Sequence, residues 1–393
     1  MTRQKICVVT GSRADYGILF PILQELSSRG DLTLQIVATG SHLSPEFGLT
    51  YREIEDDGYT ITKKIEMLLS SDTPVGVAKS MGIALSEFGT VFMELNPDFV
   101  LLLGDRFELL AAACAALVAP LPIIHIHGGE TTRGAFDEGI RHSITKMAHL
   151  HFTATEVYRR RVIQLGESPQ RVFNSGAPGL DNLRNASILN REDVEKKVGI
   201  SFNEKTVLVT WHPITLEPGQ AAPQFEVILE VLAAWPDLNL IFTGANADNE
   251  GRMINHMIDK FVVANRCRAV LVPSMGRQLY WSNLKCVDFV LGNSSSGIIE
   301  APSAGIPTIN IGTRQEGRIR APSVIDCDPD VAQLNKAIRT ALSCDFRAGI
   351  DSMANPYDQG GASRIIGDVI ANTQAGDLLK KSFYDIKFSE RAE

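Results

Sequence analysis

Val287-Asp288-Phe289-Val290-Leu291-Gly292-Asn293-Ser294-Ser295-Ser296-Gly297-Ile298-Ile299-Glu300-Ala301 is the stretch on which the reading of this chain turns. An apolar run ending at Leu291 predicts a buried strand, Gly292 to Gly297 a tight polar loop, and the apolar segment from Ile298 a helix start. Strand, small-residue loop and helix is how α/β proteins hold a phosphate. Loop N–H groups point outward, serine hydroxyls add donors, and the helix N-terminus adds partial positive charge. Glu300 falls one turn into the predicted helix. A carboxylate touching the phosphates would be repelled, so a functional Glu300 must reach past them, where a ribose diol could donate two hydrogen bonds. The plainer alternative is a serine-rich turn with an N-cap and an exposed glutamate.

At 393 residues the chain is too long for one ordinary core, which predicts two domains. Hydrophobic residues at 44% and charged residues at 21% are ordinary for a globular protein. A net charge of −8 argues against a nucleic-acid-binding surface but leaves room for an anionic small ligand, since local arginines and helix N-termini decide that. The six cysteines are scattered without a Cys-x-x-Cys pair, a pattern of free thiols in a reducing compartment rather than of disulfides or a zinc site. Four apolar residues after Lys5 are too few for a signal peptide, and Pro120 and Pro122 interrupt the apolar segment 109–126. The chain is therefore expected to be cytoplasmic, without a membrane span.

In the first half, Ile6–Thr10 reads as a buried strand and Gly11-Ser-Arg-Ala-Asp-Tyr-Gly17 as its loop, ahead of an amphipathic helix from Ile18 to Leu26. The loop lacks the Gly-x-Gly-x-x-Gly fingerprint, so no nicotinamide cofactor is expected. It places Arg13 and Asp15 at the carboxyl end of a strand, where open α/β sheets bind ligands. Phe99–Leu103 is a further strand, ending in Gly104-Asp105-Arg106, and Ile123–Ile126 runs into His125-Ile-His-Gly-Gly-Glu130. Alternation puts His125 and His127 on one face. With Glu130 they could bind a metal, but anchoring of the loop backbone is the reading preferred here, and no metal is assigned. Gly128-Gly129 lets the chain turn and brings Glu130 to the open end of the strand. Asp137-Glu138-Gly-Ile-Arg141-His142 opens a helix, on which Asp137 and Arg141 are spaced to pair. Arg159–Arg161 reads as a solvated helix face.

A polar stretch from Ala177 to Lys205 places a domain boundary near residue 180, giving domains 1–180 and 181–360, with a C-terminal helix 361–385 able to cross back onto the first. The strand–loop–helix rhythm then restarts. Successive strands end in Trp211-His212-Pro213, Gly244-Ala-Asn246, Ser274-Met-Gly-Arg277, the organising loop, and Gly312-Thr-Arg314. Each hands a polar group to one edge, as a doubly wound sheet does. Two such sheets facing each other across a cleft, with Arg13 and Ser295 both turned to it, are the expected architecture.

Gly11-Ser-Arg-Ala-Asp-Tyr-Gly, Gly104-Asp-Arg, His127-Gly-Gly-Glu130, Arg141-His-Ser-Ile-Thr-Lys, Gly176-Ala-Pro-Gly-Leu-Asp181, His212-Pro and Gly292-Asn-Ser-Ser-Ser-Gly occur in order between about residues 5 and 370. In this combination the chain resembles the hydrolysing UDP-N-acetylglucosamine 2-epimerases of bacterial sialic-acid biosynthesis. The resemblance implies the GT-B fold, two Rossmann-like domains, a UDP-sugar substrate, no cofactor, and a homodimer or homotetramer. It implies that Ser294, Ser295, Ser296 and Gly297 bind the diphosphate with Arg13 and Arg314, and that Glu300 binds the ribose. Asp105, Glu130 and His212 would surround the sugar, supported by Arg106, Asp137, Glu138 and His142; Asp15 and Asn246 join the substrate-binding set. Pro213-Ile-Thr-Leu-Glu217, where non-hydrolysing relatives carry arginines, favours the hydrolysing branch. His127 receives no catalytic role.

Those residues suit one chemistry. Loss of the C2 proton as the diphosphate leaves C1 gives a glycal, and water then adds at C1 while a proton reaches the other face of C2. That route needs carboxylates near C2 and cations at the leaving phosphate, but no redox cofactor. Three alternatives use a similar framework. They are the same reaction on a UDP-2,4-diacetamido-trideoxy sugar, a GT-B glycosyltransferase, which needs an acceptor, and a silent sugar-nucleotide sensor, which forms no product.

Overall fold

A computed structural model describes residues 3–69, 71, 73–131, 137–185, 188–202, 205–214, 219–245, 250–273, 275–350 and 353–387. The chain divides into two compact units, one comprising Met1–Glu130, Phe136–Asp181 and Gln359–Glu393, the other Thr131–Ala135 and Asn182–Asp358.

The first unit holds a seven-stranded sheet of β1 (Gln4–Thr10), β2 (Leu32–Thr39), β3 (Ile61–Ile65), β4 (Phe99–Leu103), β5 (Ile123–Ile126), β6 (Leu150–Thr153) and β7 (Val172–Asn174). Their spatial order is β3-β2-β1-β4-β5-β6-β7, and every pairing is parallel. Central strands such as Phe99–Leu103 are buried along their whole length, which is why they read as unbroken apolar runs. Helix Arg13–Ser28 packs on one face with Ile6, Val8, Leu101 and Ile124, and helices Pro74–Leu95 and Phe107–Val118 on the other with Cys7, Val9, Val100 and Leu102.

The second unit repeats the plan with β8 (Lys205–Thr210), β9 (Leu238–Thr243), β10 (Ala269–Val272), β11 (Phe289–Gly292), β12 (Thr308–Ile311) and β13 (Val324–Cys327), in the order β10-β9-β8-β11-β12-β13. Again all pairs are parallel. Both orders reverse direction once, at β1/β4 and at β8/β11. Loops leaving neighbouring strands there go to opposite faces and open a crevice at the strands' carboxyl ends.

Helix Ala362–Ala371 returns to the first unit, where Ile366 and Ile370 join the core and Arg29 pairs with Asp368 at 2.5 Å. The expected helix 361–385 is thus shorter than its amphipathic pattern suggested. Beyond Ala371 and the short turn Ala375–Asp377 the described residues, to 387, form no helix, because Leu378 is drawn into the core while Arg171 takes the carbonyls of Asp377 and Leu378. Arg159–Arg161 is also not a uniform solvated face. Arg160 is 77% exposed, but Arg159 donates to the Val172 carbonyl and Arg161 to that of Gly129. Among the described residues no helix is long and apolar enough to cross a membrane.

Candidate active site

In the first unit the candidate residues gather at the β1/β4 reversal. The turn after β1 is only Gly11-Ser12. Ser12 Oγ accepts from the Asp15 N–H at 3.3 Å and starts helix Arg13–Ser28, so Arg13 and Asp15 are first-turn residues and not members of a seven-residue loop. Arg13 pairs with Glu53 at 2.8 Å. Asp15 lies beside Arg106 and Glu108, and its Oδ2 is buried without a hydrogen-bond partner. Burial pushes its carboxyl up to about 6, against the pull of the Arg106 guanidinium. Glu108, fully buried and paired with Arg106 at 2.6 Å, is a carboxylate the sequence reading passed over. A Cβ on Gly11 would come within 2.2 Å of it, so the glycine exists to admit that carboxylate.

One guanidinium ties the Asp105 carboxylate to the backbone of Glu130. Arg141, 3% exposed, hydrogen-bonds Asp105 through one terminal nitrogen and donates to the Glu130 carbonyl at 2.9 Å through the other. Its spacing had suggested an i,i+4 partnership with Asp137; the guanidinium instead turns inward to the strand ends. His127 leaves the end of β5 at φ 64, a left-handed conformation a side chain rarely adopts, and its Nδ1 meets Glu130 Oε1 at 2.5 Å. It has therefore left the alternation expected to align it with His125. His125 anchors backbone, as expected, with Nε2 2.8 Å from the Gly104 carbonyl immediately before Asp105. Burial pulls His125 down to about 3, so it is neutral. Glu138 and His142 face each other at 3.6 Å on helix Asp137–Met147, with Asp137 at the helix's first residue.

In the second unit the organising stretch follows β11 at the β8/β11 reversal. Gly292 has φ 141, and a Cβ there would lie 1.8 Å from the Thr210 carbonyl oxygen; only glycine lets β8 and this loop approach so closely. Asn293, fully buried, accepts from the His212 N–H at 2.8 Å and returns a bond to the His212 carbonyl at 2.7 Å. Its own carbonyl takes Arg314 at 3.0 Å and Gln315 at 2.9 Å. His212 is 7% exposed, and burial, aided by the Arg314 charge, pulls it down to about 3. Its imidazole is neutral at pH 7.

The three serines are not equivalent. Ser294 Oγ caps the helix by accepting from Ser296 N at 3.4 Å, and Ser296 Oγ is bonded to the Tyr280 hydroxyl, leaving Ser295 as the hydroxyl of the three without a partner among the described residues. The helix is a single stretch, Ser295–Ile299, closed by Pro302 in the turn Ala301–Ala304, so its dipole is weaker than expected and the loop N–H groups are what the stretch would offer an anion. Gly297 closes on the Thr308 side chain. Glu300 accordingly caps the helix end rather than projecting from a long helix. Burial pushes its carboxyl up while a Ser296 hydrogen bond opposes this, and Tyr280, itself raised by burial, stands close by. Tyr280, a neighbour of Ser296 and Glu300, is a residue of this cluster that sequence spacing gave no means to find. Asn246 and the segment 215–217 lie outside the described residues.

Two parallel sheets of this order, each with its polar cluster at the reversal, define an α/β protein of the GT-B class. The crystal structure of UDP-GlcNAc 2-epimerase from Neisseria meningitidis bound to UDP-GlcNAc shares the fold at TM-score 0.82 and 18% identity, covering 94% of this chain and all of that one (100%). The chain belongs to the UDP-N-acetylglucosamine 2-epimerase family, whose model matches residues 24–371. It is 41% identical over 387 residues to GDP/UDP-N,N'-diacetylbacillosamine 2-epimerase (hydrolyzing) of Campylobacter jejuni, covering 98% of this chain and 100% of that protein. It is also 37% identical over 388 residues to polysialic acid biosynthesis protein P7 of Escherichia coli, covering 98% of each.

The raised Asp15 carboxyl has a stability consequence. Because the folded state holds this proton above the ordinary 3.8, stability is highest below that value and falls as pH rises to about 6. Asp15→Asn cannot ionise, so its stability relative to wild type should grow through that window and level off at on the order of 3 kcal/mol. Denaturant melts between pH 4 and 7 measure it. Parallel profiles for the two proteins would contradict the burial.

Proposed function

We propose that the chain is a hydrolysing 2-epimerase of a nucleoside-diphosphate 2-acetamido sugar, releasing the 2-epimeric free sugar and the nucleoside diphosphate. The observation that carries this reading is the pair Asp105 and Glu130, fixed through Arg141 at one strand-end cluster in a chain of this family. One carboxylate removes the C2 proton as the C1–O bond to the diphosphate breaks; water adds to C1 of the resulting alkene, and the other delivers a proton to C2 from the opposite face. Gly292–Gly297 and Arg314 take the diphosphate, and Glu300 the ribose. His212, neutral in its buried setting, serves best as an N–H donor to the departing phosphate oxygen. The charge of a diphosphate beside it would raise its pKa and let it give up a proton as the bond breaks.

For the sugar, the 41% relative named for N,N'-diacetylbacillosamine favours a 2,4-diacetamido-2,4,6-trideoxy sugar. The second reading is UDP-N-acetylglucosamine giving N-acetylmannosamine, supported by the family's name and by the relative named for polysialic acid biosynthesis. Incubation with UDP- and GDP-linked forms of both sugars, read by mass spectrometry for released nucleoside diphosphate, tests both. The diacetamido sugar nucleotide should turn over at the higher kcat/KM. Absence of product from every donor unless an acceptor is added would replace this reading with a glycosyltransferase.

The residues should also separate kinetically. Glu300→Ala removes a contact made equally in ground and transition states and should weaken UDP binding about tenfold. Glu130→Gln removes a proton-transfer group and should lower kcat by about 10²–10⁴ with UDP affinity kept. Calorimetry with UDP beside steady-state kinetics reads both, and equal loss of UDP affinity in the two variants contradicts the division.

A further inference from the structure

The segment after helix Ala362–Ala371 is tied to the first unit by a cluster the mechanism does not use. Glu167, 2% exposed, receives Lys146 Nζ at 2.6 Å, His151 Nε2 at 3.0 Å and Lys381 Nζ at 2.8 Å. Burial pushes its carboxyl up, but these three partners hold it down to about 2. A carboxylate in this setting without its cations would carry a large desolvation penalty, so the ionised acid and the tail require each other.

Lys381 does more than neutralise Glu167. Its Nζ donates to the carbonyls of Lys146 and Ala148, both at 2.6 Å. Those carbonyls lie at the C-terminal end of helix Asp137–Met147, where intrahelical acceptors go unmatched and a cation is favoured by the dipole. Midway along the same helix stands Arg141, which grips Asp105 and the Glu130 carbonyl. Neighbouring contacts lock the tail in register. Phe383 fills the space beside Gly166 and lies 4.8 Å from Lys146 Nζ, and the Tyr384 N–H donates to the Gly166 carbonyl at 2.9 Å.

We infer that Lys381 is a positioning residue for the reaction: the C-terminal strap, locked by Glu167, caps the helix from whose middle Arg141 holds the Asp105 carboxylate and the Glu130 backbone. Loss of the cap lets the helix shift along its axis, and displacement of Arg141 by a fraction of an ångström misplaces Asp105 and Glu130 together. The nucleotide-binding loop belongs to the other unit and keeps its own geometry. The kinetic part of the inference rests on the 2-epimerase reading.

The test uses the full-length chain with Lys381→Met, Lys381→Arg and, as an isosteric probe of the partner, Glu167→Gln. Lys381→Met should lower kcat about tenfold, the scale of a small misalignment of reacting groups, with KM and the UDP Kd within twofold of wild type. Lys381→Arg should restore most of the rate, and Glu167→Gln should move it in the same direction as Lys381→Met. Hydrogen exchange supplies a readout independent of catalysis: amides of helix Asp137–Met147 should exchange faster in Lys381→Met while those of β1 and β4 do not. Unchanged kcat or unchanged helix exchange overturns the inference. So does loss of protection throughout the first unit together with UDP affinity, since the tail would then be only a structural brace. If wild type converts no sugar nucleotide, the proposed function fails and the exchange measurement alone decides the strap.

Discussion

Asn293 is the constraint on which the second unit's chemistry depends. Its side-chain amide is both donor and acceptor, and it spends both on the backbone of one residue, His212. An aspartate would lose the donor, and a leucine would leave a buried N–H and C=O without partners, at about 1–3 kcal/mol each. The arrangement exists because Gly292 lets β11 and β8 pass at a distance no side chain permits. The loop that offers N–H groups to an anion and the imidazole that would act at that anion are thereby one rigid object. Arg314 reaches the Asn293 carbonyl, and its charge adds to the burial that keeps His212 neutral.

The first unit solves a different problem with similar means. For the proposed proton-transfer pair, the Arg141 guanidinium takes the side chain of Asp105 and the backbone carbonyl of Glu130. Glu130's carboxylate is given instead to His127, whose left-handed backbone is the kind of local strain that persists where surrounding contacts over-determine it. The two carboxylates therefore sit in unlike surroundings, one beside a permanent cation and one beside a titratable ring.

Much of this was legible in the sequence because the central strands are buried on both faces and end in small or polar residues. Val207–Thr210, Leu240–Thr243, Phe99–Leu103 and Thr308–Ile311 announce themselves, and with them the edge on which polar groups collect. Edge strands β7 and β13, three and four residues long and partly exposed, lack that signal. Helix starts were misjudged where capping competes with glycine: Ser12 begins a helix inside an apparent loop, and Pro302 ends one that apolar Ile298-Ile299 seemed to open. Glu108 and Tyr280 escaped because their importance comes from what packs over them, Gly11 in one case and Ser296 in the other. Arg141 was noted for its spacing from Asp137, but its hold on Asp105 was not legible, since helical spacing knows nothing of a residue brought alongside by a neighbouring strand.

The central claim is that the C2–H bond is broken as the diphosphate leaves, and isotope exchange tests it most directly. Turnover in deuterium oxide without added nicotinamide should give a free sugar inverted at C2 and carrying one deuterium there, together with unlabelled nucleoside diphosphate. A simple hydrolase, or a glycosyltransferase idling on water, would leave both configuration and protium in place. Unlabelled sugar of unchanged configuration would contradict the account, whatever the fold.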